Sequence, residues 1–354
     1  MFLIRSTRFR SGMISCEAKM KALVRPAQKE DIDSVILLLR NGLDSRLSPK
    51  EWRRLFEYPR VQSQPNLGFV LESSNRLVGF LGAVYSERLV GGQAQRFCNL
   101  SSWYVMPEFR TSSIALLMAL LGQRDCTFTN LAPSQIVTQV MKQCGFKQLE
   151  SHKLLCGPRL YRGLVEKKSR LSRNHHLNKF IRILEVLIET PLLKGIELIR
   201  RNSPAEFDRG GVRFLAGADL VRPMLSRADQ QLLDDHRQCG HFLVHDEQSY
   251  SYIVTVNRKI SFGRRSFVDF VASDVLHFSS PEPALQHWKS LCRLIVGHEG
   301  SQAVVADERL FGPHCPEGLR MPYGAFFKSE NGVNPRQVDN LYTEMALLDL
   351  LMYV

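Results

Sequence analysis

The stretch from Ala94 to Leu117 constrains the fold of this chain more than any other. Ala94–Val105 reads as one long strand, and Pro107 stops it, because a proline cannot donate to a β-ladder. The pattern then changes to Ser112–Gln123, an apolar helix whose first turn is made of small residues. A strand that turns directly into such a helix aims unpaired backbone N–H groups and the positive helix end at one point. That geometry suits an anion, and small side chains let a phosphate approach the backbone. An ordinary strand–turn–helix with a polar first turn fits the same residues.

The flanking elements narrow the architecture. Ala22–Pro26 reads as a short strand and Lys29–Asn41 as a helix with Ile32, Val35, Ile36 and Leu39 on one face. A second helix opens at Ser48-Pro49-Lys50-Glu51, where Ser48 can cap, Pro49 fits the first helical position and Glu51 completes a capping box. Gly68–Glu72 and Leu77–Arg88 form a hairpin around Ser73–Arg76, and Val90–Gln93 turns the chain into the long strand. After the central helix come the strand Cys126–Leu131, the helix Ser134–Cys144 ended by Gly145, and more strand over Lys147–Cys156. This is a mixed α/β order, not a doubly wound one.

The second half repeats a similar order with little sequence similarity. A helix over Arg227–Cys239 precedes strands at Phe242–Asp246, Tyr250–Asn257 and Ser266–Ser273. A helix over Pro283–Gly297, a strand over Gln302–Ala306 and a helical tail over Pro335–Leu350 complete it. The expected division is a basic tail at 1–19, a first domain at 20–158, a basic helical connector at 159–204 and a divergent second copy at 205–354. The connector carries eleven Lys or Arg against four Glu within 159–201. Its segment Asn178–Ile199 is amphipathic and interrupted by Pro191, so it either packs between the domains or lies on a membrane surface.

Bulk properties exclude several classes. At 354 residues, 44% hydrophobic and 23% charged, the chain has the composition of a globular protein with two ordinary domains. No run approaches the roughly 18 apolar residues of a membrane span, and the basic start lacks the apolar stretch of a secretory signal. The eight cysteines are dispersed with no CxxC pair, which points to a reduced, cytoplasmic setting. A net charge of +12 favours anionic partners such as CoA phosphates, RNA or acidic lipid. His236, His241 and His245 straddle a helix-to-strand junction and share no face, so no metal site is expected.

The segment Val105-x-Pro107-Glu108-Phe109-Arg110-Thr111-Ser112-Ser113-Ile114-Ala115 resembles the acyl-CoA-binding motif of the GNAT superfamily, the GCN5-related N-acetyltransferases. Val24–Ala27 with Glu30-Asp31-Ile32 resembles the family's first strand and helix, and Asn130 and Gly145-Phe146 sit where its members often carry the same residues. The resemblance covers residues 22–156 and implies a GNAT-like acyl-CoA N-acyltransferase fold. It implies that the amides of Thr111, Ser112, Ser113, Ile114 and Ala115, beside Arg110, bind the CoA diphosphate. Pantetheine would lie between the strands ending at Val105 and Asn130, with a main-chain N–H near Val105 polarising the thioester. The co-substrate is then acetyl-CoA or another acyl-CoA, and the acceptor a small-molecule or peptide amine.

Three positions depart from the family pattern. Ser113 replaces the usual glycine, and Met141 stands where many members carry a tyrosine acid. The strand Ala94–Val105 has no carboxylate to act as base, which leaves Asn99, Ser101 and Ser102 as its polar candidates, or a group from the second domain such as His236. A Fem-like transferase that uses aminoacyl-tRNA, and a non-catalytic protein that senses CoA or binds a partner, remain open alternatives.

Overall fold

The computed structural model describes residues 22–57, 64–90, 92–149, 151–156, 205–261, 269–348 and 352–353. The basic tail and the connector with Asn178–Ile199 lie outside the described residues. Among the described residues, sixteen strands form two sheets, with helices on their faces.

The first sheet is built from β1 (Leu23–Pro26), β2 (Gly68–Ser73), β3 (Arg76–Val90), β4 (Gln93–Val105), β5 (Cys126–Asn130) and β6 (Lys147–Leu149). The β2–β3 hairpin turns on Ser74 and Asn75, both at positive φ, the two-residue geometry whose twist matches paired strands. Strands β1 to β4 are antiparallel neighbours, and β4 runs parallel to β5. The chain's period-two pattern sends alternate residues to opposite faces. Leu71 and Leu81 face a core with α3 (Ser113–Leu121) and α4 (Gln135–Gln143), whereas Val70 and Phe80 face α1 (Ile32–Gly42) and α2 (Pro49–Glu57). The expected capping box holds α2 in place: Ser48 N–H donates to Glu51 at 2.7 Å and Glu51 N–H to Ser48 Oγ at 3.3 Å.

The second sheet follows the same plan. Strands β9 (Arg213–Ala216), β10 (Gly240–His245), β11 (Tyr250–Ser261) and β12 (Asp269–Phe278) are antiparallel neighbours, and β12 runs parallel to β13 (Ala303–Asp307). A short β8 (Glu206–Asp208) adds an edge, and β16 (Met352–Tyr353) pairs with β11. Helices α5 (Ala218–Val221), α6 (Arg227–Asp235), α7 (Pro281–Gln286) and α8 (Trp288–Glu299) recur where the first sheet has its own. The expected helix over Pro283–Gly297 is thus two helices, broken at His287.

The halves exchange one strand each. Between β5 and β6 lies β15 (Ala325–Lys328), from the second half. Between β13 and β14 (Leu319–Pro322) lies β7 (His152–Cys156), from the first. Lys147–Cys156 is therefore not one continuous strand. Ser151 hydrogen-bonds Asp307, and Leu154 and Leu155 pack into two different cores, so β7 is buried on both faces as a central strand of the second sheet.

The tail departs furthest from expectation. Instead of a helix over Pro335–Leu350, it forms a one-turn 3-10 helix at Pro335–Gln337 and the short α9 (Glu344–Leu347), joined by extended chain. Its apolar residues are divided among three cores: Val338 and Met345 in one, Leu341 and Ala346 in another, Leu347 and Leu348 beneath α2. One helix face cannot serve three separate cores, so tertiary burial overrides the local pattern. Residues 338–348 act as a strap between the sheets.

Candidate active site

The site starts from an irregularity in β4. Opposite β3, Ser101 pairs with Gly82 and Tyr104 with Phe80, so Ser102 and Trp103 together face Leu81 alone. This is a β-bulge, and Ser102 sits at φ 49°, a conformation rare for a residue with a side chain. The parallel pairing of β4 with β5 spans Arg96 to Asn99, opposite Cys126 to Thr129. The bulge thus falls just beyond the last paired residues, at the mouth between the two strands. Gly82 makes room there, since a Cβ on it would stand 2.5 Å from Ser101 Oγ.

Polar atoms collect at that mouth. Asn99, Ser101, Ser102 and Asn130 are all buried. Asn99 Nδ2 donates to Thr129 Oγ1 at 3.1 Å, which fixes its amide. The hydroxyls of Ser101 and Ser102 and the Asn130 carbonyl oxygen have no hydrogen-bond partner among the described residues. Buried polar atoms are nearly always paired, so three at one place mark a surface shaped for something polar. The sequence-derived candidates therefore lie together.

A residue the sequence did not single out completes the group. Glu344, at the start of α9, accepts a hydrogen bond from the Ser102 main-chain N–H at 2.9 Å. Its own N–H donates to Asn99 Oδ1 at 3.3 Å. Burial pushes its carboxyl up to about 7, against the opposing pull of the Ser102 N–H and of Arg258. Glu344 nevertheless keeps partial exposure, unlike Asn99, Ser101 and Ser102. The strand lacks a carboxylate in sequence, and the strap brings one across 242 residues.

The turn expected to hold phosphates is helical throughout. Pro107–Ser112 is a 3-10 helix that continues into α3. Ser113, in the glycine position, has φ −61° and ψ −36°, an ordinary helical conformation that tolerates a side chain. Its N–H already donates to Arg110 O, which narrows the set of amides open to an anion. Arg110, Thr111 and Ile114 are exposed, and Ser112, Ser113 and Ala115 half-buried. Val105 is buried and packs against Gly79, where a Cβ would come within 2.9 Å of its side chain. Met141, in the place of a tyrosine acid, is fully buried in the core under α4.

In the second sheet the start of the matching helix is filled by a buried side chain. Trp288 begins α8, is buried, and packs edge-on to Phe311 at 5.0 Å and Phe278 at 6.0 Å. His236 is no candidate base. It is fully buried, Nδ1 lies 3.0 Å from Leu232 O, and Nε2 accepts from Tyr342 N–H at 3.3 Å. Burial lowers its pKa to about 4, so it is neutral and occupied. His241 is likewise satisfied, by Tyr252 OH at 2.8 Å and His236 O at 3.1 Å. Among the described residues no group of three His, Cys, Asp or Glu could hold a metal ion, and no helix is long and apolar enough to cross a membrane. The seven cysteines among them are free.

No family model and no curated protein sequence matches the chain. Solved structures do. A GCN5-related N-acetyltransferase from Anabaena variabilis ATCC 29413 is similar at TM-score 0.50 and 11% identity, over 87% of this chain and 72% of that one. A probable N-acyltransferase from Enterococcus faecalis V583 is similar at TM-score 0.47 and 9% identity, over 87% and 72%. A GCN5-related N-acetyltransferase from Kribbella flavida gives 0.46 and 10%, over 87% and 71%. Identities this low speak to fold alone. The chain therefore has the fold of the GCN5-related N-acetyltransferase superfamily.

Proposed function

We propose that the chain is an acyl-CoA-dependent N-acyltransferase that holds one acyl-CoA between β4 and β5 and transfers its acyl group, in the simplest case acetyl, to an amine. The observation that carries this reading is the cluster of unpartnered polar atoms on Ser101, Ser102 and Asn130 where β4 bulges. The strand leads through the 3-10 helix Pro107–Ser112 into α3.

In this reading the cationic Arg110 and the amides of the first turn of α3 that are not spent internally hold the diphosphate. The edges of β4 and β5 beyond Asn99 and Thr129 receive the amide-bearing pantetheine as an added strand, through main-chain hydrogen bonds. The main chain near Val105 donates to the thioester oxygen as charge develops on it. Holding an amine against a thioester in good geometry lowers the barrier by roughly 7–11 kcal/mol. The second half, whose matching helix start is filled by Trp288, takes no CoA. It closes the acceptor side through β15 and the strap.

Calorimetric titration of acetyl-CoA, with thiol release measured over a panel of small-molecule and peptide amines, tests this. One site per chain and thiol release dependent on the amine are expected. Absence of binding, or two equivalent sites, would contradict it.

A further inference from the structure

We propose that Glu344, delivered by the C-terminal strap, takes the proton of the acceptor amine at this site. The proposal rests on the acyltransferase reading above and supplies the base that β4 lacks.

Position carries the argument. The Glu344 carboxylate reaches the bulge itself, at 2.9 Å from Ser102 N, beside the unpartnered hydroxyls of Ser101 and Ser102. The strap is fixed from both sides. Glu344 N–H is tied to Asn99 of the first sheet, and Arg258 of the second hydrogen-bonds Met345 O. The carboxylate is thus held on rigid elements, as a catalytic group must be to keep its geometry. The residue is half-buried, not enclosed.

Among the described residues, the one charged group that acts on its titration is Arg258. From β11 comes Arg258, whose guanidinium is engaged with Asp274 of β12 at 3.0 Å, and Asp274 in turn with Lys153 of β7 at 2.7 Å. From β4 come the Ser102 N–H, which donates to the carboxylate, and the Asn99 Oδ1, which accepts from the Glu344 N–H. Helix α2 contributes the apolar Trp52, Leu55 and Phe56 to the core beside α9. In these surroundings burial dominates and brings the carboxyl to about 7, where a base is both ionised and able to accept near neutral pH.

The step balances as follows. The amine nitrogen attacks the thioester carbonyl, the C–N bond forms, and the C–S bond breaks with its electron pair left on sulfur. The proton lost by the amine passes to Glu344 and from there to the thiolate or to water, so acyl-CoA and amine give amide and CoA thiol.

Glu344→Gln keeps an oxygen for the Ser102 N–H and removes the basicity, and Glu344→Asp restores a carboxylate. With acetyl-CoA and glycinamide as probes, Glu344→Gln is expected to lower thiol release by about 10²–10⁴-fold. It should also abolish the rise of rate through neutral pH, with acetyl-CoA affinity unchanged by calorimetry. Glu344→Asp should recover part of the rate and its pH dependence. A readout without substrate accompanies this: the melting temperature of the wild type relative to that of Glu344→Gln should fall as pH rises from 4.5 through about 7, a difference in which the histidines cancel. Normal acetyl-CoA binding with unchanged rate and pH profile in Glu344→Gln overturns the base and leaves the acyltransferase reading standing. Normal acetyl-CoA binding with no thiol release by the wild type over the whole amine panel overturns both the base and the acyltransferase reading. Failure of every variant and the wild type to bind acetyl-CoA defeats both.

Discussion

Lys153 and Asp274 meet at 2.7 Å, both buried, the lysine on a strand from the first half of the chain and the aspartate on a strand from the second. Arg258 bonds the other carboxylate oxygen at 3.0 Å, and all three side chains are buried. The exchanged strand β7 is therefore fastened into its host sheet by charge as well as by the apolar contacts of Leu154 and Leu155. Arg258 continues the chain of contacts to Met345, and so to the strap that carries Glu344.

Removing one member of this cluster should be costly. Lys153→Met leaves Asp274 with one cation instead of two in a buried setting, and breaking buried ion pairs typically costs 3–5 kcal/mol. A loss of about 3 kcal/mol in urea unfolding is expected, and a loss under 1 kcal/mol would show that β7 is held by its apolar contacts alone.

A second expectation concerns acid. His236 and His241 each have a pKa lowered by burial from 6.5 to about 4. A depressed histidine contributes stability that is full above 6.5 and lost as pH falls through about 4. Each contributes on the order of 3 kcal/mol by linkage. Protonation of Glu344, whose carboxyl is raised from 4.5 to about 7, works the opposite way over the same window. The measurement is therefore cleanest in Glu344→Gln. There, stability by urea unfolding should drop from pH 7 to pH 4, and adding His236→Gln should flatten the drop. An equally steep drop in the double variant contradicts the assignment.

Much of the first half is written locally. The Ser48–Glu51 box, the Ser73–Arg76 hairpin, the strand stopped by Pro107 and the polar set Asn99, Ser101, Ser102 and Asn130 all depend on near neighbours in sequence. What escapes is non-local. Ala325–Lys328 is too short to announce a strand, and nothing in it says which sheet it joins. Lys147–Cys156 reads as one strand because its break is dictated by partners such as Asp307 and Asp274. Glu344 sits in a stretch that looks helical, and only the three cores that share its neighbours pull that stretch into a strap. A base supplied from 242 residues away leaves no local pattern.

Asn99 positions two groups, the Thr129 side chain and the Glu344 main chain. Asn99→Ala should lower kcat by about 10²-fold or less, the low end for a single proton-transfer or positioning group. Ser101→Ala should cost no more. A loss near 10⁴-fold from Ser101→Ala would make that hydroxyl, and not Glu344, the dominant catalyst.

Ser113 is helical and stands in the first turn of α3, so a longer side chain is tolerated by the backbone. Ser113→Glu should leave the melting temperature unchanged and weaken acetyl-CoA at least about 10-fold, since an opposed charge easily costs about 1.4 kcal/mol. Unchanged affinity in the folded variant would place the diphosphate elsewhere.

Hydrogen exchange with and without acetyl-CoA tests the central claim, that the mouth between β4 and β5 is the ligand site. The account predicts new protection in residues 101–105, 111–116 and 129–131, with residues 344–348 of the strap slowed as well. Protection confined to 272–278 and 303–307 of the second sheet, or none at saturating acetyl-CoA, would contradict it.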